Sequence, residues 1–143
     1  MQTDLIRQLP SEHRPLLSKF YRSHRSHMRA PADAGYWVAG QPEIVAGLCL
    51  SDVAGGKWLT GLLVAPGHRG RGLAKCLVSR ALVACEGPVW LFCEPTLMTF
   101  YQQMGFCRAT TLPDSLTSRL ERYNRHKTLT AMHYNSELTC PTF

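Results

Sequence analysis

The chain has 143 residues, room for about one domain of the usual 100–200 residues. Its composition, 45% hydrophobic and 18% charged, is too apolar for a disordered chain and too mixed for a membrane protein. The formal net charge of +6 admits nucleic acid, a membrane face or a phosphate-bearing ligand as partner.

Residues 4–9 have the mixed apolar character of a short strand. Pro10-Ser11 then punctuate the chain, with Ser11 placed to act as an N-cap. Leu16, Leu17, Phe20 and Tyr21 follow at helical spacing and predict a helix over 11–23. The basic stretch 24–35 reads as a second helical turn or a loop. From Gly35 the period changes to two. Residues 36–39 form a strand, Gly40-Gln41-Pro42 a turn, and 43–53 a strand with alternating faces. Gly55-Gly56 makes a tight hairpin into a strand over 57–64.

Ala74, Leu77, Val78, Ala81, Leu82 and Cys85 then lie on one helical stripe, which Gly87-Pro88 stops. Residues 89–93 are wholly apolar, as in a strand buried on both faces. Pro95 suits the first turn of another helix and Gly105 its C′ position. A strand over 106–109, a helix over 112–124 and a strand over 129–134 complete the order. The fold class is α/β (α+β): one domain over 1–143 with helices and strands alternating around a mixed sheet of about six to seven strands.

No apolar run reaches the roughly 18 residues that span a bilayer. Met1-Gln2-Thr3-Asp4-Leu5 lacks the basic start and apolar stretch of a signal peptide, so a cytoplasmic protein with no membrane partner is expected. Cysteines at 49, 76, 85, 93, 107 and 140 include no close pair. They argue against a disulfide scaffold or a CxxC zinc site and for reduced thiols. The positive charge is uneven: residues 53–85 carry five Lys/Arg and no acid. No nucleic-acid-binding motif or aromatic–basic stripe accompanies it, so nucleic acid is not the expected partner.

The most informative stretch is Leu62-Leu63-Val64-Ala65-Pro66-Gly67-His68-Arg69-Gly70-Arg71-Gly72-Leu73-Ala74-Lys75. A strand runs into a Gly-rich turn that opens an amphipathic helix. The start of a helix presents unpaired N–H groups and partial positive charge. Gly70 and Gly72 allow close backbone approach, and Arg69, Arg71 and Lys75 add charge, which together suit a pyrophosphate. The same loop also fits a plain reversal of the chain. GxxxxGK[ST] and GxGxxG are both missing, which excludes a nucleoside-triphosphate P-loop and the dinucleotide fingerprint.

The pattern Val64-x-Pro66-x-x-Arg69-Gly70-x-Gly72-x-Ala74 resembles the acyl-CoA-binding segment of the GNAT superfamily of N-acetyltransferases. Phe100-Tyr101-Gln102-Gln103-Met104-Gly105-Phe106 is similar to that family's second motif, in the expected order and spacing. The element order over 4–134 fits as well. The resemblance implies one N-acetyltransferase domain, its sheet antiparallel in the first half, with helices on both faces. It also implies a splayed parallel pair, here 57–64 and 89–93, that binds acetyl-CoA as co-substrate. Leu62, Leu63 and Val64 would pair with the pantetheine arm. Arg69, Gly70, Arg71, Gly72, Leu73, Ala74 and Lys75 would hold the pyrophosphate. Partners would be acetyl-CoA and an amine acceptor, with no metal, in a monomer or homodimer.

Acyl transfer from a thioester to an amine needs a neutral amine, a stabilised oxyanion and a proton for the leaving thiolate. An N–H around Leu63 or Val64 can polarise the carbonyl. Tyr101 stands where the family places the proton donor, and packing alone is the competing reading. Glu94 stands where relatives often have Asn. It is a candidate base, an ammonium ligand or a helix-terminal acid. Glu43, Asp52 and an ordered-water relay are weaker base candidates.

Cys93 reads as a core thiol, with a covalent acetyl-cysteine route as the remote alternative. His24 and His27 lack a third metal ligand. Arg119, Arg122 and Arg125 read as a solvated face, and Tyr36 and Trp37 as core. The basic segment 22–29 suits an acceptor bearing a carboxylate or phosphate. A non-catalytic acetyl-CoA sensor is the alternative function.

Overall fold

A computed structural model describes residues 5–135. The elements are β1 (Ile6–Leu9), α1 (Arg14–Ser23), β2 (Gly35–Ala39), β3 (Ala46–Val53), β4 (Gly56–Val64), α2 (Leu73–Val83), β5 (Val89–Cys93), α3 (Met98–Gln102), β6 (Cys107–Arg108), α4 (Asp114–Tyr123) and β7 (Thr130–Tyr134). The strands form a seven-stranded mixed sheet in the order β1-β2-β3-β4-β5-β7-β6. Two compact units carry the elements: Met1–Ser51 with Leu59–Ala84, and Asp52–Trp58 with Cys85–Phe143.

In the first unit β1, β2 and β3 are antiparallel, in register at Leu9↔Tyr36 and Trp37↔Leu48. Helix α1 lies directly on β3: a Cβ at Gly47 would come within 2.6 Å of Leu17 Cδ1. Leu17, Phe20 and Tyr21 form the buried stripe of α1 and join Leu9, Ala30, Tyr36, Val38, Cys49 and Ala65 in one apolar cluster. Residues 46–50 are buried on both faces, one of them under α1. Helix α2 buries Leu73, Leu77, Val78, Ala81 and Leu82. Cys85, the last residue of the predicted stripe, lies beyond its end.

The second unit contains the β3–β4 turn. Ala54 and Gly55 both take positive φ, 43° and 80°, as a two-residue turn matched to strand twist requires. The turn thus falls one residue earlier than Gly55-Gly56, and Gly56 opens β4. Strand β4 runs parallel to β5 over two rungs, Lys57↔Val89 and Trp58↔Trp90. Strand β5 pairs antiparallel with β7, from Val89↔Tyr134 to Cys93↔Thr130. Strand β6 keeps only two of the four residues predicted.

Other boundaries moved for identifiable reasons. A 3-10 turn occupies Ser11–His13, the α-helix proper starts at Arg14 with Pro15 in its first turn, and the N-cap is His13, with no side-chain capping bond from Ser11. Residues 24–34 are not helical. Arg25 and Asp33 take left-handed φ of 54° and 57°, and the segment between them forms no helix or strand. Among the described cysteines, 49, 76, 85 and 93 are free thiols as expected. Cys107 is disulfide-bonded, against the expectation of reduced thiols throughout. Cys140 lies outside the described residues.

Gly56 is buried, and a Cβ there would collide with the Pro88 carbonyl oxygen and come 2.9 Å from the Trp90 ring. Gly56→Ala should therefore destabilise the protein by roughly 1–3 kcal/mol, the usual cost of overpacking. Gly67→Ala, with nothing within 4 Å of its added carbon, should shift the urea midpoint far less.

Candidate functional site

In the first unit β4 ends at Val64, and Ala65 anchors to β3 through its N–H on the Val45 carbonyl at 2.8 Å. A 3-10 turn over Pro66–His68 follows. Arg69 Nε reaches back to donate to the Val64 carbonyl at 2.9 Å, so this guanidinium braces the turn. Gly70 and Gly72 sit at φ 78° and 76°, a region that costs residues with a Cβ about 1–2 kcal/mol. Gly72 is the N-cap of α2 and brings no side-chain acceptor.

The first intrahelical bond runs from the Cys76 N–H to the Gly72 carbonyl at 3.0 Å. The N–H groups of Leu73, Ala74 and Lys75 therefore precede the ladder and point out of the helix end. Arg71 and Lys75 are exposed beside them, and a Cβ at Gly70 or Gly72 would meet no heavy atom within 4 Å. A group of open amides with two flanking cations is chemically suited to phosphate oxygens. Leu62 and Leu63 are half-buried and Val64 is buried.

One functional pairing went unread in the sequence. Gly61, inside β4, has φ 69°, so its carbonyl leaves the regular strand direction. The buried hydroxyl of Tyr21 donates to that carbonyl at 2.6 Å and lies 3.5 Å from Cys49 Sγ. Burial, reinforced by Cys49, pushes the Tyr21 phenol far above its ordinary range. Burial likewise raises the Cys49 thiol to about 11, so both groups stay neutral. A glycine within a strand pattern is the sequence signal that pointed to this kink.

In the second unit Cys93 ends β5, Glu94 follows, and a 3-10 turn over Pro95–Leu97 leads into α3. Tyr101 is the buried residue of α3. Its ring packs between Phe100 and Phe106, with centroids at 5.0 and 5.9 Å. Burial, and next the nearby Cys93, push its phenol up to about 12. The Cys93 thiol is raised by burial and then by the Glu94 charge, and it donates to Met132 Sδ at 3.7 Å. Tyr101, Cys93 and Glu94 are thus electrostatic neighbours. Glu94 itself is exposed and makes no capping bond to the helix turn behind it.

The remaining candidates fall elsewhere. Asp52 pairs with Lys57 at the β3–β4 turn. Glu43 is exposed and lines a cavity with Arg7 and Lys19. His24 packs edge-on against Phe20 at 5.0 Å. No group of three His, Cys, Asp or Glu among the described residues could hold a metal. Tyr36 is core, while Trp37 is half-buried. Arg119 departs from a solvated face: its guanidinium lies 4.3 Å over the Trp58 ring. Trp58 in turn meets Phe92 at 5.6 Å.

The Tyr101 shift sets a sign. Its folded value, about 12, exceeds the ordinary 10.0, so the fold favours the neutral phenol. The related stability is fully present below pH 10 and is lost as pH rises through about 12. Tyr101→Phe should consequently show a shallower loss of urea resistance across that window than the parent protein.

The profile of the acetyltransferase (GNAT) domain matches residues 32–108. Solved structures share the fold at low identity. Escherichia coli ElaA aligns with a TM-score of 0.65 at 15% identity, over 93% of this chain and 100% of that one. The ribosomal-protein-S18-alanine N-acetyltransferase of Escherichia coli aligns with a TM-score of 0.66 at 15% identity, over 99% of each chain. The N-acetylglutamate synthase of Neisseria gonorrhoeae, complexed with coenzyme A and N-acetyl-glutamate, gives 0.65 at 14%, over 94% of this chain and 35% of that one. No curated protein shows significant sequence similarity. With more than half its length matched by the family profile, the chain belongs to the GNAT acetyltransferase domain family.

Proposed function

We propose that this protein is an N-acetyltransferase that moves an acetyl group from acetyl-CoA to a primary amine of a small molecule or protein, acting as a single domain. The observation that carries the reading is the open, uncapped start of α2 behind two left-handed glycines. It offers directed N–H donors to a diphosphate without a competing side chain. A family neighbour from Neisseria gonorrhoeae holds coenzyme A, which supports the same assignment. On this reading Gly70, Arg71, Gly72, Leu73, Ala74 and Lys75 contact the diphosphate. Arg69 shapes the loop, and Leu62 to Val64 offer main-chain groups to the pantetheine arm.

The amine attacks the thioester carbon directly, with both substrates bound. The C–N bond forms, the C–S bond breaks, the nitrogen sheds one proton and the sulfur gains one. A main-chain N–H at Leu63 or Val64 stabilises the transient oxyanion. Tyr101 hydrogen-bonds the departing sulfur, delivers its proton and is reprotonated from solvent. Its elevated pKa keeps it protonated across the working range and disfavours a lasting tyrosinate. Glu94, an exposed carboxylate at the end of β5, is the assigned acceptor of the amine's proton.

Calorimetry with coenzyme A tests the foundation: measurable binding is expected, and none would end the proposal. Tyr101→Phe should lower kcat by about 100-fold or more while leaving coenzyme A affinity close to the parent value. An unchanged kcat removes Tyr101 from the chemistry. Glu94→Gln should lower the plateau of the pH–rate profile or move its limb, and an identical profile excludes this carboxylate as base. Coenzyme A bound but never released from acetyl-CoA across a broad amine panel would assign the sensor role instead.

A further inference from the structure

Helix α1 has a second stripe beside its buried one. Arg14, Ser18 and Arg22 fall at i, i+4 and i+8, along one line of the helix. At its end the N–H groups of His24 and Ser26 both bond the Tyr21 carbonyl, at 3.2 and 3.0 Å, and left-handed Arg25 reverses the chain. The chain runs back along α1 until the Ala30 carbonyl accepts from Arg14 Nε at 2.7 Å. On the way Ser26 Oγ accepts from the Met28 N–H at 3.0 Å. Helix and returning segment flank an open cavity of about 330 Å³, whose polar lining is Arg14, Ser18, Arg22, Ser26, His27 and Arg29.

Among the described residues no Asp or Glu lines this cavity. Among the described residues none of its three guanidiniums is in an ion pair. Three like charges around one small volume repel each other, and no described carboxylate pairs with them. The cavity on the far side of α1, about 350 Å³, is different: it sets Glu43 beside Arg7 and Lys19 and so carries its own counter-charge. A guanidinium fork matches a carboxylate or phosphate with paired N–H donors. Arg14 is held by the Ala30 carbonyl, so its fork is oriented before a ligand arrives. The volume suits a small molecule.

We propose that this cavity binds the oxyanion, carboxylate or phosphate, of a small molecule. Resting on the acyl-transfer reading, that molecule is the amine acceptor. The test follows the arginine Nε–H resonances of the full chain by NMR, titrating inorganic phosphate in one arm and acetate in the other. Sodium chloride at matched ionic strength is the control. Saturable shifts of Arg14, Arg22 and Arg29 are expected in at least one arm. The Arg22 side chain holds no hydrogen bond among the described residues, so Arg22→Gln removes charge without loosening the loop. It should weaken the anion by about 10–100-fold.

Shifts indistinguishable from chloride, or an undiminished affinity in Arg22→Gln, overturn the site. Coenzyme A release is then compared for an amino acid and its amide at equal free amine. The acid should react faster, and Arg22→Gln should erase the difference. Equal or faster reaction of the amide overturns the acceptor assignment. A protein that binds the anion but no coenzyme A loses the acyl-transfer reading and keeps the anion site.

Discussion

A buried phenol must find an acceptor, and in this protein Tyr21 finds the carbonyl that Gly61 turns out of β4. Much of the first unit depends on that bond. The hydroxyl of Tyr21 fixes α1 to the strand that continues through Leu62 to Val64 and into the glycine loop. The main-chain carbonyl of the same residue accepts the two N–H groups that start the reversal after α1. One tyrosine thus ties the kinked strand to the basic cavity. Removing its hydroxyl would strand a buried carbonyl, a loss of about 1–3 kcal/mol. A Cβ at Gly61 would press on the same oxygen from the other side, at 2.5 Å.

Charge is handled differently in the two units. Positive groups of the first unit include Arg71 and Lys75 beside open amides, and Arg14, Arg22 and Arg29 around an open cavity. No described carboxylate lines that cavity, so the charge around it is of one sign. The second unit instead keeps its buried titratable groups neutral. Tyr101 and Cys93 are both buried and both raised. Glu94, one residue beyond β5, is the charged member of that group.

The parts of the fold written in local periodicity were legible. The α2 stripe, the apolar run of β5 and the Gly-rich turn each depend on neighbours in sequence, and each stands close to its predicted place. What depended on tertiary contact was not legible. Ser11 looked like a cap, but Pro15 and a preceding 3-10 turn moved the helix start. Arg119 read as solvated because its partner, Trp58, is 61 positions away in the chain. Tyr21 read as one more apolar position, since nothing local reveals where a hydroxyl will donate. Of the candidate site, the glycine loop and the Tyr101 motif were visible, while the cavity walled by Arg14 and Ser18 required the chain reversal to exist.

That reversal has a further property. Arg25 and Asp33 bracket the segment that walls the cavity, and both lie in the left-handed region at φ 54° and 57°. Side chains with a Cβ adopt it at a penalty of about 1–2 kcal/mol each. Such conformations persist only where the surroundings over-determine them, here through the Tyr21, Arg14 and Tyr36 hydrogen bonds to this segment. The ordering is completed by folding itself. A guest entering the cavity therefore meets a wall already in place, and little of its affinity is spent on immobilising loop backbone.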